Sequence, residues 1–81
     1  MLNVYPNPAR NSFYVNLGVT TERSGRFDLM DMNGRVVLTE HIPPGYQIYQ
    51  VDIQHLDRGM YILRWHESGR NLGFRKIVKT E

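Results

Sequence analysis

Few side chains in this sequence stand at spacings that do chemistry, and a run of acids and amides comes nearest. The stretch LMDMNGRVVLTE, residues 29 to 40, puts Asp31, Asn33, Gly34 and Glu40 on the third, fifth, sixth and twelfth positions of a calcium-binding loop. Leu29 holds the first position, where chelation needs an oxygen ligand, and the flanks alternate as strands where the loop needs helices. No metal site is expected there. Asn33-Gly34 reads instead as the type I′ turn of a hairpin, because both residue types tolerate positive φ.

The other reactive residue types are dispersed. His41, His55 and His66 never recur at the i, i+2 or i+4 spacing by which imidazoles share a metal. Asp52 and Asp57 bracket a turn with no nucleophile beside them, so they read as solvated turn acids, with Asp57 bonding local backbone. Ser12, Ser24 and Ser68 lack the strand-turn-helix context that exposes a nucleophilic serine. The chain is expected to be no enzyme and to need no cofactor. Trp65, Tyr14, Tyr46, Tyr49 and Phe74 would suit a platform for sugar rings, although aromatics at period two more often pair across strands or fill a core. A carbohydrate-binding or adhesive accessory module of a secreted enzyme is therefore the alternative function.

Composition narrows the rest. At 81 residues the chain reads as a single domain, residues 1 to 81, able to bury only about 60% of its unfolded surface. A roomy catalytic cleft is not expected. Without cysteine neither disulfides nor thiolate-bound zinc can hold it together, which leaves the compartment open. The net charge of +2 is spread without a block of like charges, so no nucleic-acid partner is expected. There is no apolar run of about 18 residues, so membrane insertion is not expected either. The opening MLNVYPNP has no charged region followed by an apolar one, as a secretory signal would. Met1 reads as an expression start, and the chain as a fragment of a longer protein.

The residues must be positioned by strands. Apolar side chains recur at period two, with Gly, Pro, Asn and Asp in the gaps, and this predicts seven strands near 2–5, 12–17, 25–31, 35–41, 46–53, 60–66 and 72–79. Phe13, Val15 and Leu17 share one face of the second strand; Phe27 and Leu29 share one of the third, opposed by Arg26 and Asp28. Tyr49, Val51 and Ile53, then Tyr61, Leu63 and Trp65, continue the pattern. Half-buried antiparallel strands must hide these faces against one another, which predicts an all-β sandwich of two sheets, with an open barrel-like variant as the main competitor.

Three segments carry more specific information. In LDRGMY, Leu56, Gly59 and Tyr61 have the spacing of a tyrosine corner, in which the ring packs inside and the hydroxyl bonds backbone upstream across a Greek-key crossover. In YPNPARN, Pro6 and Pro8 each withhold a ladder donor, so the first strand is expected to be short and peripheral, with Asn7 closing an Asx turn between them. The terminal LGFRKIVKTE puts apolar and basic side chains on both faces. That suits an edge strand whose charges block unwanted pairing, or an exposed basic strand that a partner grasps by strand addition.

Taken in order, NVYPNPARNSFYV, LMDMNGRVVL, VDIQHLDRGMYIL and RKIVKTE resemble the type A C-terminal sorting domains of the type IX (Por) secretion system, over nearly the whole chain. The resemblance implies an immunoglobulin-like antiparallel sandwich at the end of a secreted cargo. It implies passage through the periplasm and then release or display at the cell surface. The implied partners are an outer-membrane translocon and a sortase-like protease that removes the domain at a point upstream of Leu2. By position, the first family motif falls on Pro6, Asn7 and Pro8, the second on Gly59 and Tyr61, and the terminal one on Lys76, Ile77, Val78 and Lys79. Thr80 and Glu81 follow the lysine at which family chains often stop. Deleting residues 76 to 81 is expected to leave a folded domain that strands a fused reporter in the periplasm. A free edge strand also leaves room for two domains to pair.

Overall fold

Period-two alternation becomes seven strands: β1 Asn3–Tyr5, β2 Ser12–Asn16, β3 Gly25–Asp31, β4 Val36–Ile42, β5 Ile48–Asp52, β6 Gly59–Glu67 and β7 Arg70–Lys79. The computed structural model describes residues 2–81, the side chains of residues 70–72 excepted. One sheet has the order β1-β2-β5 and the other β4-β3-β6-β7, with every neighbouring pair antiparallel. The chain changes sheet between β2 and β3, β4 and β5, and β5 and β6. This is the Greek-key connectivity of an immunoglobulin-like sandwich.

The two sheets close on a common core. Val4, Phe13, Val15 and Val51 from the smaller sheet meet Phe27, Leu29, Leu63, Trp65 and Ile77 from the larger one. Each side chain lies on the face that alternation assigns it, because a period of two leaves the chain no other way to bury them together. Trp65 packs its ring against the start of β3, where a Cβ on Gly25 would lie 2.3 Å from the ring carbons. Only glycine leaves room there.

Several details differ from the sequence reading. Tyr46 and Gln47 stay outside β5, because Tyr46 is held in the preceding loop by Thr21: Thr21 N donates to Tyr46 O, and Tyr46 N to Thr21 Oγ1. Asp28, expected on a wet face, is 7% exposed. It escapes solvent because Arg26, Thr39 and His66 cover its carboxylate. The turn at Asn33-Gly34 is not type I′. Gly34 alone has positive φ, at 86°; Gly34 N donates to Asp31 O and Asp31 N to Arg35 O, which makes a three-residue loop with a glycine bulge. Asp31 selects that form, since its Oδ1 accepts from both Asn33 N and Arg35 N.

Candidate functional site

The residues of greatest interest begin far apart in sequence and come together at one end of the sandwich. Antiparallel pairing of β6 with β7 sets Tyr61 opposite Ile77, Met60 opposite Val78 and Gly59 opposite Lys79. The other edge of β7 is then met by the segment Asn7–Ala9. Asn7 Nδ2 donates to Lys76 O at 2.8 Å, and Val78 N donates to Asn7 Oδ1 at 2.9 Å. Ala9 N donates to Val78 O and Thr80 N to Ala9 O, each at 2.8 Å. Ala9 and Lys79 thus form a short parallel bridge.

The chemistry of this clamp follows from the flanking prolines. Pro8 has no N–H to offer a neighbouring strand, whereas a primary amide carries a donor and an acceptor side by side, as a peptide group does. The Asn7 side chain therefore continues the ladder where the backbone cannot. The expected Asx turn is accordingly replaced, because Asn7 spends its amide on β7. Both peptide bonds leading into Pro6 and Pro8 are cis.

Burial sorts the terminal motif. Ile77 is fully buried in the core and Val78 half-buried, while Lys76 is exposed. Lys79 is only 2% exposed; its Nζ donates to Thr80 O and Glu81 O at 3.3 and 2.9 Å. An exposed basic strand open along its length is therefore not what forms: one lysine is folded inward, and residues 76–80 already have an edge partner. Tyr61 lies in the core with its hydroxyl donating to Asp57 O. Burial, and then the nearby Asp57 and Asp31 charges, push that hydroxyl above its ordinary value of 10.0. Leu56 packs against the same core, and Gly59 begins β6 at φ 150°, a conformation that side chains rarely adopt.

The remaining candidates do not converge. Asp31 is engaged by Arg35 Nε at 2.9 Å. Glu40 stands well down the ladder, opposite Phe27, and accepts from the Tyr49 hydroxyl. Of the two turn acids it is Asp52, not Asp57, whose carboxylate bonds local backbone, at Gln54 N. His41 and His55 are exposed and His66 half-buried. The five aromatics form no common platform. Trp65 is buried, Tyr14 stacks on Tyr5 on the outside of the smaller sheet, Tyr49 meets Phe27 and Tyr46 edge-on, and Phe74 faces out from the larger sheet.

Sequence reasoning missed the role of Ala9, which is fully buried. The signal was present, since Ala9 is the one apolar residue in PNPARNS. It missed the buried Asp28 network as well, because period two assigns a face but does not say what neighbouring strands lay over it.

Comparison with known proteins adds a family. Residues 3–80, nearly the whole chain, match the family model described as the secretion system C-terminal sorting domain. No curated protein matches the chain.

Proposed function

The chain belongs to the family of secretion system C-terminal sorting domains, and we propose that the end of the sandwich where its three motifs meet is the part the export machinery reads. Members of this family are the C-terminal secretion signals of type IX secretion and are not catalysts. The domain works with that machinery, and the cargo it labels is secreted or held at the cell surface.

One observation carries the proposal. Asn7, in the first motif, is hydrogen-bonded to Lys76 and Val78, in the last. The pieces become one surface only when the sandwich has closed, so a reader that binds there accepts folded domains and passes over unfolded ones. Lys76 and the exposed Pro6-Asn7-Pro8 corner supply the contacts; Ile77, Lys79, Gly59 and Tyr61 hold them in place. A chain without cysteine reaches this state in the periplasm with no oxidation step. The outer-membrane translocon is the first reader in this account. A sortase-like protease then acts on the chain upstream of β1, and residues 1 to 81 travel as a single folded unit.

A reporter fused ahead of this chain, in a bacterium that carries type IX secretion, tests the proposal. Surface delivery with the intact chain, and periplasmic retention when Asn7 and Lys76 are substituted together in a domain that still folds, is the expected result. Undiminished delivery by that double variant would refute the assignment of the reading site.

A further inference from the structure

The opposite end of the larger sheet carries a second collection of side chains, to which the sorting function gives no role. Cross-strand register sets Arg26 of β3 between His41 of β4 and His66 of β6 on the outer face. Together with Ser24, Ser68 and Gly69 these three line a cavity of about 490 Å³. Arg23 is drawn to its rim, where Nη1 donates to Ser68 Oγ at 3.2 Å.

Donors outnumber acceptors in this cavity. The carboxylate beside it is Asp28, and its oxygens are engaged by Arg26 Nε at 3.3 Å, Arg26 Nη2 at 3.3 Å and Thr39 Oγ1 at 3.1 Å. That arrangement fixes the guanidinium by one flank and leaves Nη1 without a protein partner among the described residues. His66 Nε2 is buried 3.3 Å from Asp28 Oδ2 without a hydrogen bond. No protein acceptor meets Ser24 Oγ or the His41 ring among the described residues. A guanidinium from β3, an imidazole from β4 and two hydroxyls from the flanking loops thus approach one space, which the His66 ring of β6 also lines while its Nε2 faces Asp28.

The geometry points to a binding site for a phosphate group, free or as a monoester, seated between Arg26, His41 and His66, with the Ser24 and Ser68 hydroxyls at its rim. A tetrahedral oxyanion offers acceptors in several directions at once, as this ring of donors requires, whereas a planar carboxylate offers them in one plane. Asp28 acts as the positioning residue that aims Arg26.

Titration of the 81-residue chain with inorganic phosphate against matched chloride, followed by backbone and histidine NMR, tests this. Saturable shifts confined to residues around Ser24–Arg26, His41, His66 and Ser68–Gly69 are expected. Arg26→Gln should weaken binding by about tenfold or more, as loss of a charged hydrogen bond does, while Arg10→Gln should leave it unchanged. Since Arg26→Gln also disturbs Asp28, His41→Gln provides a second variant that spares the Asp28 contacts and should weaken binding as well. Vesicles of phosphatidylcholine with and without phosphatidic acid separate a headgroup from free phosphate; binding to the acidic vesicles alone, displaced by phosphate, marks a headgroup in the same cavity. Shifts that fail to saturate, that chloride reproduces, or that survive both substitutions overturn the proposal.

Discussion

Asn7 shows how much one amide can do where prolines have removed the backbone donors. Replacing it with alanine loses both bonds to β7, and we expect a fall in stability of about 1–2 kcal/mol, read by urea unfolding. A smaller loss is expected for Tyr61→Phe, about 1 kcal/mol, since Asp57 O then turns to water. Tyr61 also sets an alkaline limit. Its folded pKa lies above the ordinary 10.0, so its contribution is intact below that value and is lost as pH rises through the folded pKa. In Tyr61→Phe that part of the alkaline loss should disappear. Asp31 works at the acid end: the Arg35 backbone N–H first, then the Arg35 guanidinium and Asn33 N–H, hold its carboxyl below the ordinary 3.8. Its contribution is present above about that pH and is lost as pH falls through the folded value. Acid unfolding of Asp31→Asn should therefore be flatter below pH 4. At this scale the sequence was legible where a motif names its own partner, as Tyr61 does four residues after Asp57. It was illegible where the partner is remote, as with Asn7 and β7.

Strands were legible to within a few residues because each buries one face, and alternation records that face directly. The β3 range Gly25–Asp31 coincides with the predicted one, while β5 falls short because its loop backbone pairs with Thr21 instead. What alternation leaves open is which edges are covered. Residues 76 to 81 read as dispensable for folding, but Ile77 is fully buried and Lys79 nearly so. Deleting residues 76–81 removes a core side chain and six residues of the edge clamped by Asn7–Ala9, so it should unfold or severely weaken the domain. Circular dichroism and thermal melts of the truncated chain check this, and loss of export in that variant then says nothing about recognition. Packing at the opposite end is just as close. Gly25→Ala drives a methyl into the Trp65 ring and should cost about 1–3 kcal/mol, with a shift in tryptophan fluorescence.

For the molecule as a whole, the sandwich follows from seven short amphipathic strands, while the surface proposed for the reader follows from topology. Greek-key connection carries β6 beside β7, and the first corner of the chain closes over the last strand, so motifs at the two ends of the sequence share one surface. On the proposed reading, export competence and folding are coupled but separable, provided that the substitution lies on the surface. Lys76 offers that separation, being exposed and at the centre of the assembled end. The most direct measurement is surface delivery of a fused reporter by Lys76→Glu, beside Thr20→Glu in an exposed loop at the far end of the sandwich. The account predicts that both variants fold with similar melting temperatures, that Thr20→Glu delivers normally, and that Lys76→Glu leaves the reporter inside the cell envelope. Normal delivery by a folded Lys76→Glu domain would contradict it.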